Sequence, residues 1–368
     1  MMLKKQYLKN CNYLLLVMVL FAMAMGVVVI DSVSSYYTGK QAVGVGLSVA
    51  IIFFLMAFDY HIFVKFYIPL YLISTVLLMG VLFFGINVNN ATRWFKLGSI
   101  TFQPSELTKV IMIIFMAHIL SKQIEEDKVN TLRGLAVFWG AAFIPIILIF
   151  RQPDLSTTLC MIFVLLTMLY ISGLSHKIIL TALLILIPSF AVFIWYIQKP
   201  DQKLLYEHQV NRIMSFIYPS EYQDTNDQQN HSIMAIGNGR LNGKGLYAKD
   251  SVKASGIIPE QQTDFIFSAI GESFGFVGSM ITLALILLIV LQCIRVGRRA
   301  RDDTGKLIAI GVGCLIGYQS FINIGVATKL LPNTGIPLPF ASYGLSSLMS
   351  TAIGIGLVLN ISMQKKKY

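Results

Sequence analysis

Residues 256–276 read GIIPEQQTDFIFSAIGESFGF, and the apolar run that begins at Phe265 continues to Ile294. About 20 apolar residues cross a hydrocarbon core of roughly 30 Å, so a run of this length reads as a membrane span. Asp264 stands at its lip. The pattern recurs, with apolar runs near 12–30, 41–58, 62–86, 105–120, 134–150, 155–172, 178–197, 265–294, 306–328 and 343–362. Composition agrees: 55% of residues are hydrophobic and only 13% charged, with a mean hydropathy of +0.69. An ordinary globular domain carries about a quarter charged residues. The fold expected is an all-α polytopic membrane protein of about ten transmembrane helices, with a large extracellular loop over 198–263 between the seventh and eighth.

The net charge of +11 fits cytoplasmic loops facing anionic membrane lipids, and no nucleic acid is expected as a partner. With the N-terminus inside, the segments at 4–5, 121–133, 295–306 and 364–367 hold roughly sixteen Lys and Arg, against about five in the short outer loops. Both termini are therefore expected in the cytoplasm. The basic start MMLKK resembles a signal peptide, but its apolar run is longer than an h-region of about 7–15 residues, so a retained first helix is expected. Cys11, Cys160, Cys293 and Cys314 all fall in apolar runs without CxxC spacing and read as packing residues. The five histidines are scattered, with no i,i+4 pair to suggest a metal site.

Charges at membrane depth are costly, about 2.5–3.5 kcal/mol each at a helix centre, so each one is a functional candidate. On this topology they collect at the outer face: Arg93 of TRWF, Glu106 and Lys109 of QPSELTK, Arg151 and Asp154 of RQPDLSTT, Arg212 of NRIMSFIYP, and Asp264. Glu106 and Lys109 lie three apart after Pro104, on one side of a first helical turn, as an ion pair that either joins helices or serves a site. Asp154 and Asp264 each precede an apolar run, so helix capping competes with a substrate role at both. Around Asp264, Pro259, Glu260, Gln261 and Gln262 add polar groups. A carboxylate near fixed cations suits proton abstraction beside an anionic phosphate headgroup. The loop LLPNTGIPLPFASYGLSS at 330–347 is irregular at membrane depth, so it is expected to wall a cavity. In the long loop, YQDTNDQQNHS at 222–232 reads as mobile and IGNGRLNGKGL at 236–246 as glycine-rich turns.

Together QPSELTK, RQPDLSTT, AIGNGRLNGKGL, IPEQQTDFIFSAIGESFGF and NTGIPLPFASYG resemble, in order and spacing, the SEDS family (shape, elongation, division and sporulation), and most closely its RodA branch. The resemblance covers nearly the whole chain. It implies a single SEDS-type transmembrane domain over 1–368 that polymerises lipid II, the undecaprenyl-pyrophosphate disaccharide-peptide, at the outer face of the bacterial cytoplasmic membrane. A class B penicillin-binding protein is the implied partner, supplying crosslinking. The family's essential loop aspartate falls on Asp264, its fourth-helix Glu and Lys on Glu106 and Lys109, and its RQPD aspartate on Asp154. Two departures stand out: Leu345 in SYGLSS replaces a glycine, and Lys329 takes the place of a small residue.

The mechanism expected is general-base catalysis by Asp264 on an acceptor sugar hydroxyl. An unperturbed aspartate, with a pKa near 3.9, is a weak base that needs a raised pKa or a divalent cation, Mg²⁺ or Mn²⁺. Arg93, Lys109, Arg151 and Arg212 are the candidates to hold pyrophosphate, with Glu106, Asp154 and Gln261 completing the substrate site. The rival readings are a lipid flippase or transporter, and a scaffold that only anchors its partner. Against transport, the motif charges gather at one face and no inverted repeat is visible.

Overall fold

The computed structural model describes residues 10–88, 91–98, 100–199, 202, 204, 207–218 and 223–364. Among them nine helices of 18 or more residues are apolar enough to cross a membrane. They are α1 (Tyr13–Val33), α2 (Ser35–Ala57), α4 (Tyr67–Phe84), α5 (Pro104–Glu125), α6 (Leu132–Arg151), α8 (His176–Ile197), α12 (Ile266–Arg298), α13 (Asp303–Ala327) and α14 (Leu345–Met363). The shorter apolar helix α7 (Leu155–Ile171) completes the expected set, and α3 (Tyr60–Lys65) is a single short turn before α4. The chain is a multi-pass helical membrane protein.

Helices α5, α13 and α14 are buried over most of their length and form the centre, while α4, α6 and α8 turn apolar side chains such as Phe83, Phe143 and Leu184 outward, as lipid-facing helices do. Four of the nine long helices start with a side-chain cap, from Asn12 to Leu15 N, Thr131 to Gly134 N, Ser175 to Ile178 N and Asp302 to Gly305 N. Each supplies an acceptor to a first-turn N–H that no helical carbonyl reaches. Cys11, Cys160 and Cys293 are buried and Cys314 half-buried, none of them in a disulfide, in keeping with packing roles.

Two loops are more ordered than expected. Between α4 and α5 the chain forms a three-stranded antiparallel sheet, β1 (Ile86–Val88), β2 (Ala91–Leu97) and β3 (Ile100–Phe102), with β2 in the middle. An all-α reading missed it because strands of three to seven residues leave little periodicity beside 20-residue apolar runs. In the long loop lie α9 (Glu207–Ile217), α10 (Gln223–Asn238) and α11 (Val252–Ser255). The stretch read as mobile is thus helical from Gln223. Gln229 and Ser232, three apart and so on one face, bond the exposed end of α13: Gln229 Nε2 donates to Val326 O and Leu331 O at 2.9 Å, and Ser232 Oγ to Ala327 O at 2.7 Å. Carbonyls at and beyond a helix C-terminus lack i+4 N–H partners, so polar side chains suit this contact, which at Val326 O is shared with Lys329 N at 3.1 Å. Lys329 joins the same contact, its Nζ donating to Asn230 Oδ1 at 2.7 Å.

The glycine-rich stretch that follows breaks α12. Gly275 takes φ 65° and ψ −159° inside the helix, a conformation that a side chain disfavours. Lys244 N and Gly245 N donate to Glu272 O and Ser273 O at 2.8 and 3.0 Å, and Phe276 N and Val277 N donate to Arg240 O and Leu241 O at 2.8 and 3.1 Å. The interrupted ladder is therefore completed by the loop. A Cβ on Gly275 would stand 2.4 Å from Gly243 N, so the two chains approach backbone to backbone.

Candidate active site

At the end of the bundle where α5, α7 and α12 begin, a cavity of about 290 Å³ opens. One part of its wall comes from β2 and the turn after β3, with Arg93, Trp94 and Gln103. Glu106 of α5 and Asp154 at the head of α7 follow. The polar turn before α12 gives Glu260, Thr263 and Asp264, and the 330–347 loop gives Thr334, Gly335 and Tyr343 to Ser347. The loop expected to wall a cavity does so.

Glu106 and Lys109 form the pair that their spacing implied, with Lys109 Nζ donating to Glu106 Oε1 at 2.7 Å. Both side chains are almost fully buried. Glu106 reaches the cavity wall while Lys109 stands behind it. Pro104 opens the helix, where its missing N–H leaves nothing to satisfy, and Glu106 follows in the first turn.

Asp154 is a helix cap that also faces the cavity. It caps α7, its Oδ1 accepting from Thr157 N at 3.1 Å, and its Oδ2 lies 3.6 Å from Arg93 Nη1 while still lining the cavity. Arg93 Nε donates to Gln152 O at 3.0 Å and its Nη2 to Pro153 O. The guanidinium thus closes the α6–α7 turn from the sheet, which is why the sheet matters to the site.

Asp264 is not a helix cap. The cap position of α12 is Phe265, with no side-chain cap bond. Asn323 of α13 holds the backbone instead, its Nδ2 donating to Asp264 O at 2.9 Å and to Ile336 O at 2.8 Å. Ser342 Oγ donates to Thr263 O at 2.5 Å, and Tyr343 N to Gln262 O at 2.8 Å. The aspartate turn and the 330–347 loop are thereby one unit. Asn323 was not singled out from the sequence, although a polar amide within an apolar run was the available signal.

The other candidates fall elsewhere. Gln261 is buried behind the cavity wall, its Nε2 donating to Ser268 Oγ at 2.9 Å, so it ties the turn to α12. Arg151, in the last turn of α6, is exposed and outside the cavity wall; a cation there suits the negative end of the helix dipole. The side chain of Arg212 lies outside the described residues, although α9 carries its backbone. No cluster of three or more His, Cys, Asp or Glu that could hold a metal ion occurs among the described residues. Leu345 lines the cavity and also abuts α2, where a Cβ on Gly44 would stand 3.0 Å from its Cδ1.

A bundle of apolar helices, with a polar cavity lined by carboxylates and an arginine at one end, defines a multi-pass membrane protein. A family model for FtsW, RodA and SpoVE, described as cell cycle protein, matches residues 4–367, and the chain belongs to that family. It is 33% identical over 376 residues to a probable peptidoglycan glycosyltransferase FtsW of Geobacter sulfurreducens, with 95% of each chain covered. It is 33% identical over 299 residues to the peptidoglycan glycosyltransferase MrdB of Escherichia coli K12, covering 81% of this chain and 78% of that one. Among solved structures, a chain of a peptidoglycan synthase complex that coordinates polymerization and crosslinking superposes with a TM-score of 0.81 at 26% identity, covering 96% of this chain and 97% of that one. The rod shape determining protein RodA of Thermus thermophilus gives 0.71 at 26% identity, over 97% and 98% of the two chains.

Proposed function

We propose that this protein is a peptidoglycan glycosyltransferase that polymerises lipid II, with its active site in the cavity around Asp264. One observation carries the reading: Arg93, Glu106, Asp154 and Asp264, drawn from four separated stretches, line one cavity. The named activities of the relatives support it.

In the mechanism, Asp264 takes the proton from the acceptor sugar hydroxyl as that oxygen bonds to the anomeric carbon of the donor. The bond from the anomeric carbon to the diphosphate oxygen breaks, and its electron pair leaves with the lipid diphosphate. Arg93, fixed by two carbonyls and beside Asp154, offers remaining guanidinium N–H groups to the leaving oxygens. The buried Lys109 acts through Glu106, holding that carboxylate in position at the wall. A Mg²⁺ or Mn²⁺ ion suits this site only in the manner of ions held by one or two carboxylates plus substrate phosphates, with Asp264 and Glu260 as the protein ligands. Such an ion would supply charge neutralisation for the diphosphate.

Both termini are assigned to the cytoplasm and the cavity to the outer face, with 198–263 as an extracytoplasmic loop, on the Lys/Arg bias. The partner assigned is a class B penicillin-binding protein, supported by the likeness to a chain of a synthase complex. The deciding experiment incubates purified protein, with and without such a partner, with labelled lipid II. Glycan polymer is expected; lipid II carried across vesicles without any polymer would replace this reading by transport. In spheroplasts, external protease is expected to cut a tag near Asn226 and spare one at Tyr368, and the opposite pattern would invert the topology.

A further inference from the structure

A row of aromatic rings leaves the cavity on the side of the 330–347 loop. Tyr343 lines the cavity. Its ring lies 4.7 Å, centroid to centroid, from that of Tyr37, and Tyr37 lies 5.1 Å from Tyr36 in an edge-on contact. Beyond, Lys40 Nζ sits 4.9 Å from the Tyr36 ring centre, one helical turn along α2. Tyr343 and Tyr37 are half-buried, whereas Tyr36 is 70% exposed. Tyrosines at a membrane boundary commonly serve as interfacial anchors. An anchor packs on lipid, however, and these rings pack on one another in a line that ends in the cavity wall.

We propose that Tyr343, Tyr37, Tyr36 and Lys40 form a saccharide-binding track along which the growing glycan strand leaves the cavity. The inference rests on the polymerase reading above and adds to it where the product goes. The ring faces are electron-rich, and the C–H bonds on the apolar face of a pyranose are the complementary surface. Such contacts hold a sugar without fixing it, which suits a strand that must slide by one disaccharide per addition. Lys40, at the outer end, is placed to meet a carboxylate of the strand's peptide stems. The cavity wall thus offers two kinds of surface, the Arg93 cation for diphosphate and the Tyr343 ring for sugar.

The test compares strand lengths made from labelled lipid II by the parent and by Tyr36→Leu, Tyr37→Leu and Tyr36→Trp, each with its partner. Leucine keeps apolar bulk for an anchor but has no ring face, whereas tryptophan keeps the face. With each aromatic contact worth about two- to tenfold in binding, the leucine variants are expected to release strands shorter by about that factor, and Tyr36→Trp to restore parental length. Parental strands from both leucine variants would overturn the track, as would a Tyr36→Trp product as short as that of Tyr36→Leu. A parent that makes no polymer would instead remove the polymerase reading, and the track with it. Because Tyr36 is exposed, its pair of variants decides the matter even if Tyr37→Leu melts early.

Discussion

Gly335 lies directly against Asp264: a Cβ built on the glycine would stand 3.1 Å from Asp264 Oδ2, and the residue adopts φ +70°. An alanine there is strained twice, by its backbone and by the carboxylate it would push. Gly335→Ala is expected to lower melting by little, since a residue held at positive φ costs about 1–2 kcal/mol. Polymerisation should fall as well, by less than the roughly 10²-fold of a 1 Å misplacement, because the carboxylate has to give by only a few tenths of an ångström. Melting curves and a lipid II gel measured on one preparation check both. Equal retention of activity and melting would mean that the carboxylate moves aside without consequence.

The spans were legible in the sequence because membrane thickness sets one length for all of them, and Glu106–Lys109 because i,i+3 spacing after a proline leaves one geometry. Arg93 and Arg151 looked equivalent, yet only Arg93 enters the cavity. The difference lies in how the three-stranded sheet docks onto the α6–α7 turn, a tertiary contact with no local pattern. Gln261 misled in the same manner, as a polar residue beside Asp264 whose amide turns inward to Ser268. Asp264 is not the cap of α12 because that helix starts one residue later than an aspartate cap would require.

Asp264→Asn separates chemistry from structure. Since the carboxylate is not the helix cap, asparagine is expected to leave melting and partner binding unchanged while removing the proton acceptor. Loss of a general base is typically worth about 10²–10⁴-fold, seen as missing polymer on the gel. Normal polymer from the asparagine variant would exclude Asp264 as the base. Titrating Mg²⁺ or Mn²⁺ against parent and variant then reads any ligand role.

The buried pair at Glu106 and Lys109 predicts a sign reversal. Removing one member of a buried pair costs about 3–5 kcal/mol, whereas removing both is far milder. Lys109→Ala alone should therefore melt earlier than the double change Glu106→Ala with Lys109→Ala. Strictly additive losses would contradict the 2.7 Å contact. A double variant that melts normally but makes no polymer would assign the pair to the site.

At the opposite end of the bundle, His61 bridges Asp59 and Asp302, with Nδ1 to Asp59 Oδ1 at 2.7 Å and Nε2 to Asp302 Oδ2 at 3.1 Å. The Asp302 hydrogen bond raises the imidazole above its usual value against the opposing effect of burial, with Asp59 adding to the rise. Burial pushes Asp302 up, but the His61 and Tyr60 hydrogen bonds and the Gly305 N–H bring it down to about 2. The His61 contribution is then complete below its unfolded pKa of about 6.5 and is lost as pH rises through the raised folded value. The Asp302 contribution is present above about pH 3.9 and fades as pH falls toward its folded value. Melting temperature should thus decline as pH rises past the unfolded value of about 6.5 and through the raised folded one in the parent, and change less in His61→Gln. Parallel curves for the two proteins would show that the bridge carries no stability.

Arg93 has two tasks to separate, closing the α6–α7 turn and meeting diphosphate. Its contacts commit at most three of five N–H donors, through Nε to Gln152 O, Nη2 to Pro153 O and Nη1 toward Asp154. Lysine keeps the charge and loses the fork, and methionine loses both while keeping similar bulk. Arg93→Lys and Arg93→Met should both melt earlier, since each forfeits the two carbonyl bonds, worth about 1.5–3 kcal/mol apiece when the donor is charged. Their kinetics should part. A retained cation still attracts the donor diphosphate, so Arg93→Lys is expected to polymerise about tenfold faster than Arg93→Met at low lipid II, the equivalent of about 1.4 kcal/mol of charge stabilisation. At saturating lipid II the gap should narrow if the charge acts on binding and persist if it acts on the departing diphosphate. Identical rates for the two variants at every concentration would leave Arg93 only the turn to hold, and the diphosphate would need another cation.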